Sequence, residues 1–102
     1  MGLKVVWTDK AKSHVRDIYN FYSKKVSVSL AKRISLRITQ KPKILTKQPQ
    51  IGQKETLLRE INPELRYLVE GNYKIIYLLT NTEIVIVSVF DTRQEPNKIK
   101  NF

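Results

Sequence analysis

Few side chains in this sequence could do chemistry, and most of those are basic. Arg66, Lys74 and Arg93, three of the seven basic residues of the C-terminal half, could each meet an anion. Arg66 and Lys74 flank the turn signal Gly71-Asn72. They read equally well as a solvated cross-strand pair, with Glu70 beside them, of the kind that contributes little energy. Arg93 lies between Asp91 and Glu95, so a local ion pair that steadies a turn is as good a reading as a ligand contact. Asp91 and Glu95 make a poor acid–base couple, because such work needs pKa values pushed apart by their surroundings. His14 is the only histidine. It sits one residue off an apolar helical stripe and reads as structural, and a lone histidine argues against a metal site. Tyr19, Tyr22, Tyr67, Tyr73 and Tyr77 could stack bases. Their helical or strand spacing makes core packing the better reading, and Trp7 reads as core too. The sequence has no phosphate-binding glycine loop, no nucleophile elbow and no metal-ligand spacing, so neither a cofactor nor a metal is expected.

The elements that must position these side chains begin with a sheet. Residues 65–70 alternate apolar and polar. Gly71-Asn72 is a two-residue turn signal, since glycine takes a positive φ without steric cost. Residues 73–79 and 83–90 are rich in β-branched and aromatic side chains, with Thr80-Asn81-Thr82 as the turn between them. The apolar runs 75–79 and 84–90 predict strands buried on most of both faces, which need helices to cover them.

The first half of the chain supplies those helices. Residues 3–7 (LKVVW) read as a short strand at the sheet edge. Thr8 is a natural N-cap, and Asp9 suits the positive end of a helix dipole. Ala11, Val15, Ile18, Tyr19 and Tyr22 then fall on one face of a helix over residues 9–24. Ser27 or Ser29 caps a second helix, with Leu30, Ala31, Ile34 and Ile38 as its apolar side. Pro42 predicts a kink, with helix resuming through Ile44 and Leu45. The two helices form an antiparallel hairpin. Residues 48–52 (QPQIG) read as a loop. Residues 53–64 have no clear period, with Leu57 and Leu58 as expected anchors and Asn62-Pro63 as a turn. The tail after Pro96 is expected to be a helical turn or frayed.

One hundred and two residues suffice for one domain and one core, so residues 1–102 are read as a single domain. There is no cysteine, hence no disulfide framework; no apolar run approaches membrane length and no leader pattern is visible, so the expected location is cytoplasmic. The formal charge is +10, and residues 1–50 hold 12 Lys/Arg against two acids, whereas residues 51–102 hold seven of each. The excess therefore lies on the helical half. It is either a solvated face or a surface for an acidic partner, nucleic acid or protein. The order is strand, helical hairpin, then a three-stranded antiparallel meander, with the first strand on the meander's edge and the helices on one face. This is a two-layer α+β domain.

That order, with certain residues, resembles the RelE/ParE superfamily of toxins from type II toxin–antitoxin modules. The resemblance rests on Val5-Val6-Trp7-Thr8, on residues 17–22 (DIYNFY) and on residues 48–52 (QPQIG). It continues with Arg66, with residues 71–77 (GNYKIIY), and with residues 89–96 (VFDTRQEP). It implies a small growth-inhibiting toxin of plasmid-stabilisation type, neutralised by a cognate antitoxin. An acidic, partly disordered antitoxin segment would wrap the helices and sheet, for which a basic hairpin is a sensible receiver. Operator DNA would be reached only through the antitoxin.

One branch of the family cuts messenger RNA on the ribosome; the ParE-like branch acts on DNA gyrase. Cleavage through the 2′-hydroxyl needs help in removing that proton, charge on the pentavalent phosphate, and protonation of the leaving oxygen. By the resemblance, Arg66, Lys74 and Arg93 are the catalytic candidates if the chain is a ribonuclease. The paired lysines of that branch are absent, since residues 65–69 read LRYLV, and the tail has no Tyr or His. The expectation is therefore a ParE-like toxin that inhibits gyrase by binding. The alternatives are a ribosome-dependent mRNA interferase and an inactive homologue that only binds antitoxin.

Overall fold

The structure, a computed structural model, describes residues 2–101. Strand β1 (Lys4–Trp7) leads into helix α1 (Asp9–Lys25) and helix α2 (Val28–Gln40), followed by a 3₁₀ segment, Lys41–Thr46. A two-residue strand, β2 (Gln53–Lys54), and a 3₁₀ turn, Thr56–Leu58, precede the meander β3 (Arg66–Glu70), β4 (Tyr73–Leu79) and β5 (Glu83–Asp91). A last 3₁₀ segment, Pro96–Lys100, closes the described chain. The sheet has five strands in the order β1-β5-β4-β3-β2.

The helices begin where side-chain oxygens can satisfy their first free N–H groups. The Thr8 hydroxyl accepts from Ala11 N (3.1 Å), and the Ser27 hydroxyl accepts from Leu30 N (3.1 Å), so Ser27 is the second cap and Ser29 is not. The expected stripes face inward: Ala11, Ala31 and Ile38 are buried, with Val15, Ile18, Tyr22 and Ile34 packed against the same core. At Pro42 the chain does not bend and resume as α-helix. It tightens into the 3₁₀ segment, burying Pro42 and Leu45 and leaving Ile44 exposed. Proline has no N–H to donate to the α-helical ladder, and its fixed φ fits the first turn of a new segment; Lys41 before it keeps right-handed helical geometry (φ −53, ψ −44).

β1 takes the edge position, pairing with β5 in parallel, Val5 opposite Ile84 and Trp7 opposite Ile86. α1 and α2 lie between β1 and the meander in sequence and supply the crossover that a parallel pair requires. Both sheet faces are covered. The helices cover one, around Ile75, Tyr77, Ile84 and Ile86; the two short 3₁₀ elements cover the other, where Leu58, Leu65, Ile76 and Ile99 meet. Of the two expected anchors, Leu58 is buried while Leu57 is exposed, because a single 3₁₀ turn presents only one of two consecutive residues to the sheet. Ile99 anchors the tail; Phe102 lies outside the described residues.

Two local features set the site. Gly71 takes φ +60 in the β3–β4 turn, as that turn requires. On β5, Ile76 faces Ser88 but Tyr77 faces Ile86, so Val87 is an extra residue and the strand carries a bulge. Before the bulge Ile84 and Ile86 point to the helices. After it Val89 does, while Val87 and Phe90 pack on the opposite face. The bulge therefore turns Asp91, two residues beyond Val89, toward α1.

Candidate functional site

β1 ends beside Ile86, so the last part of β5 has no strand on that side. Helix α1 takes over. Thr8 N donates to Ile86 O (3.1 Å), and Val89 N donates to His14 Nδ1 (3.1 Å). Between α1 and this end of β5 opens a cleft of about 330 Å³, lined among others by His14, Asp17, Phe21, Tyr73, Asp91 and Arg93.

At its mouth four side chains form one network. The Arg93 guanidinium holds Asp91 through Nε–Oδ1 (3.0 Å) and Nη2–Oδ2 (2.8 Å). The same Nη2 reaches the hydroxyls of Tyr22 (3.2 Å) and Tyr73 (3.5 Å), and Tyr73 donates to Tyr22 (3.3 Å). The Arg93 side chain holds the Asp91 carboxyl below the usual carboxylate range, and Asp91 in turn raises Arg93. The two phenols are driven apart. Hydrogen bonds from Tyr73, then Arg93, lower Tyr22; burial, then the bond to Tyr22, raises Tyr73. Tyr22 is thus the more acidic phenol of the pair.

His14 is held neutral, chiefly by burial and secondarily by Lys10, with Asp17 opposing. Its Nδ1 lone pair is occupied by the Val89 N–H, so in this tautomer the other ring nitrogen carries the proton. The ring can donate into the cleft but has no lone pair free to act as a base. A base whose folded pKa is depressed below 6.5 gives stability above that value and loses it as pH falls through the folded pKa. Thermal unfolding between about pH 7.5 and pH 5 is expected to show a loss of stability that shrinks in His14→Asn, whose amide oxygen can accept from Val89 N without titrating. Equal pH slopes in the two proteins would contradict this role.

The other two sequence candidates stand elsewhere. Arg66 is on the helix face of β3 and donates to the carbonyls of Gln50 (3.2 Å) and Gly52 (2.7 Å), pinning the 48–52 loop. Lys74, three pairs along the β3–β4 register, is on the opposite face. It pairs with Glu55 (2.7 Å) rather than Glu70 and lies 4.3 Å over the Tyr67 ring. Glu55 is 3% exposed and also caps the Thr56–Leu58 turn through Leu57 N (3.1 Å). Arg66, Lys74 and Arg93 are therefore not brought to one place. The expected Asp91–Arg93 pair is present, and Glu95 instead caps the last 3₁₀ segment through Asn97 N (3.1 Å).

Sequence reasoning missed the Tyr22 and Tyr73 hydroxyls, His14 as a sheet ligand, and Glu55. The available signal was limited to Tyr22 closing the α1 stripe and Tyr73 opening β4. Among the described residues no cluster of three or more His, Cys, Asp or Glu could hold a metal, and no helix is long and apolar enough to cross a membrane.

Comparison with known proteins bears on this arrangement. A family model for the ParE toxin of type II toxin–antitoxin system, parDE, matches residues 5–96. A solved chain of the chromosomal ParDE TA system from P. aeruginosa is similar in fold, with a TM-score of 0.76 and 19% identity, covering 87% of this chain and 95% of that one. No curated protein matches.

Proposed function

Because this chain belongs to the ParE toxin family of type II toxin–antitoxin systems, we propose that it arrests growth by binding a DNA gyrase-type target and not by cutting RNA. As the toxin of such a module it has a cognate antitoxin. Residues 1–102 are read as one toxin domain that acts in the cytoplasm.

One observation carries the binding reading: every candidate for phosphate chemistry is already engaged within the protein. Arg66 is spent on two loop carbonyls, Lys74 on buried Glu55, Arg93 on Asp91, and the His14 lone pair on Val89 N. Cleavage of RNA needs free charge and a free base at one phosphate. A binding site has no such need. Arg93, half exposed and backed by Tyr22 and Tyr73, is the type of planar, pre-oriented anchor that dominates protein interfaces.

The test is inducible expression in a bacterial host, with DNA breaks and RNA ends mapped from the same culture. DNA breaks with intact messages are expected. Codon-phased cuts in translated messages would overturn the proposal in favour of an interferase, and neither lesion would mark a homologue that only binds antitoxin. In the same assay Arg93→Ala is expected to weaken growth arrest roughly tenfold or more, as loss of an interface anchor does, and His14→Ala much less. Wild-type toxicity in both variants would remove Arg93 from the functional surface.

A further inference from the structure

Residues 18–54 contain nine Lys/Arg and no Asp or Glu. The three ion pairs among the described residues involve Lys54, Lys74 and Arg93, so no Lys or Arg of residues 1–50 has an acidic partner. Lys32, Arg33 and Arg37 project from the exposed side of α2, and Lys41, Lys43 and Lys47 continue the array along the following 3₁₀ segment and its end; all six are exposed. At ~1.5 Å per residue, the 13 residues of α2 alone span about 20 Å. That length faces roughly ten phosphates of a duplex, at one charge per ~1.7 Å.

The chemistry of the face selects among anionic partners. No aromatic residue occurs between Tyr22 and Tyr67, so the face has nothing on which an unpaired base could stack. Its exposed apolar side chains, Val28, Leu36 and Ile44, are eight residues apart, about 12 Å or more along the helix. They make no continuous strip for an amphipathic acidic helix. We infer that the outer face of α2 and the adjoining 3₁₀ segment binds the phosphate backbone of duplex DNA, without reading sequence. This contact is made by the toxin itself, unlike operator contacts made through an antitoxin, and it does not depend on which target the toxin poisons.

The experiment is fluorescence anisotropy of a labelled, mixed-sequence duplex with the full chain freed of antitoxin, across a salt titration. Binding is expected with a steep linear fall of log affinity against log salt. Replacing Lys32, Arg33 and Arg37 together by glutamine should weaken binding at least about thirtyfold at ~0.1 M salt and lower that slope by about three. Replacing Arg59, Lys98 and Lys100 by glutamine removes the same charge from exposed positions elsewhere and should change affinity less than about twofold. Thermal unfolding of both triple variants verifies that they fold. Absence of duplex binding by the unmodified chain overturns the inference. So does equal loss in the two triple variants, tighter binding of the single strand, or a polyglutamate peptide held through Lys32, Arg33 and Arg37 while the duplex is not.

Discussion

Gly52→Ala is expected to lower the thermal midpoint by more than about 15 °C, equivalent to roughly 4 kcal/mol in a domain of this size. Gly52 is buried where the 48–52 loop meets the sheet. The Tyr77 hydroxyl reaches through at this point, donating to Pro49 O (3.0 Å) and accepting from Gly52 N (3.0 Å). A methyl group on Gly52 would overlap that hydroxyl and would also stand 2.7 Å from Tyr77 Cε1 and 2.8 Å from Tyr67 O. Neither neighbour can yield cheaply. Tyr77 is fully buried, and Tyr67 is paired with Gln53 in the β2–β3 ladder. Overpacking of this kind costs about 1–3 kcal/mol, and each hydrogen bond lost from the buried phenol about 1 more. The second variant that locates the cause is Gly52→Ala with Tyr77→Phe, which removes the overlapping oxygen. It should be less destabilised than the sum of the two single changes. A Gly52→Ala protein within about 1 kcal/mol of the parent would show that the loop is free to move away.

Glu55→Ala should destabilise by about 3 kcal/mol, the usual consequence of stranding one member of a buried ion pair. It removes the counter-charge of Lys74, whose side chain is 21% exposed, and uncaps Leu57 N at the same time. Replacing both partners, Glu55→Leu with Lys74→Met, should restore most of that loss, because no charge is then left without a partner. Denaturant unfolding of the single and double variants measures the coupling. Growth arrest by the double variant decides between roles for Lys74. Arrest kept at wild-type stability means that Lys74 is a clamp between β4 and the Thr56–Leu58 turn. Arrest lost at wild-type stability means that its ammonium contacts the target.

The elements legible in the sequence are those whose burial repeats with a period. The α1 and α2 stripes, with Thr8 and a serine as caps, locate both helices to within a residue or two, and the runs 73–79 and 83–90 locate the long strands. β2 has no such signature. It is two exposed polar residues whose strand character comes from pairing Gln53 with Tyr67, and pairing is not a local property. The Val87 bulge is invisible for the same reason, since a continuous apolar run reads alike on either face. The site divides similarly. The Asp91–Arg93 pair spans two residues and is readable, whereas Tyr22 meets Arg93 across 71 positions. Glu55 lies in a stretch with no period, so nothing in the sequence ties it to Lys74, 19 residues away. Arg66 and Lys74 flank one turn, but an uneven number of register steps puts them on opposite faces, and that parity follows once the turn's length is known.

The extra residue at Val87 makes β5 two strands of opposite phase joined end to end. The first half, Ile84 and Ile86, builds the same core as the N-terminal strand beside it. The second half answers to α1, through His14 on Val89 and the network around Asp91. A single-residue deletion at this point would leave composition, charge and hydropathy almost untouched. It would remove the bulge and set Ser88 opposite Ile76 directly after Ile86, so the residues downstream would keep their faces; loss of one residue between Val89 and Asp91 would instead turn Asp91 away from α1. The span from residue 89 to 91 is therefore intolerant of length change, even where it accepts change of residue, so in this chain the surface around Arg93 is specified by counting as much as by chemistry.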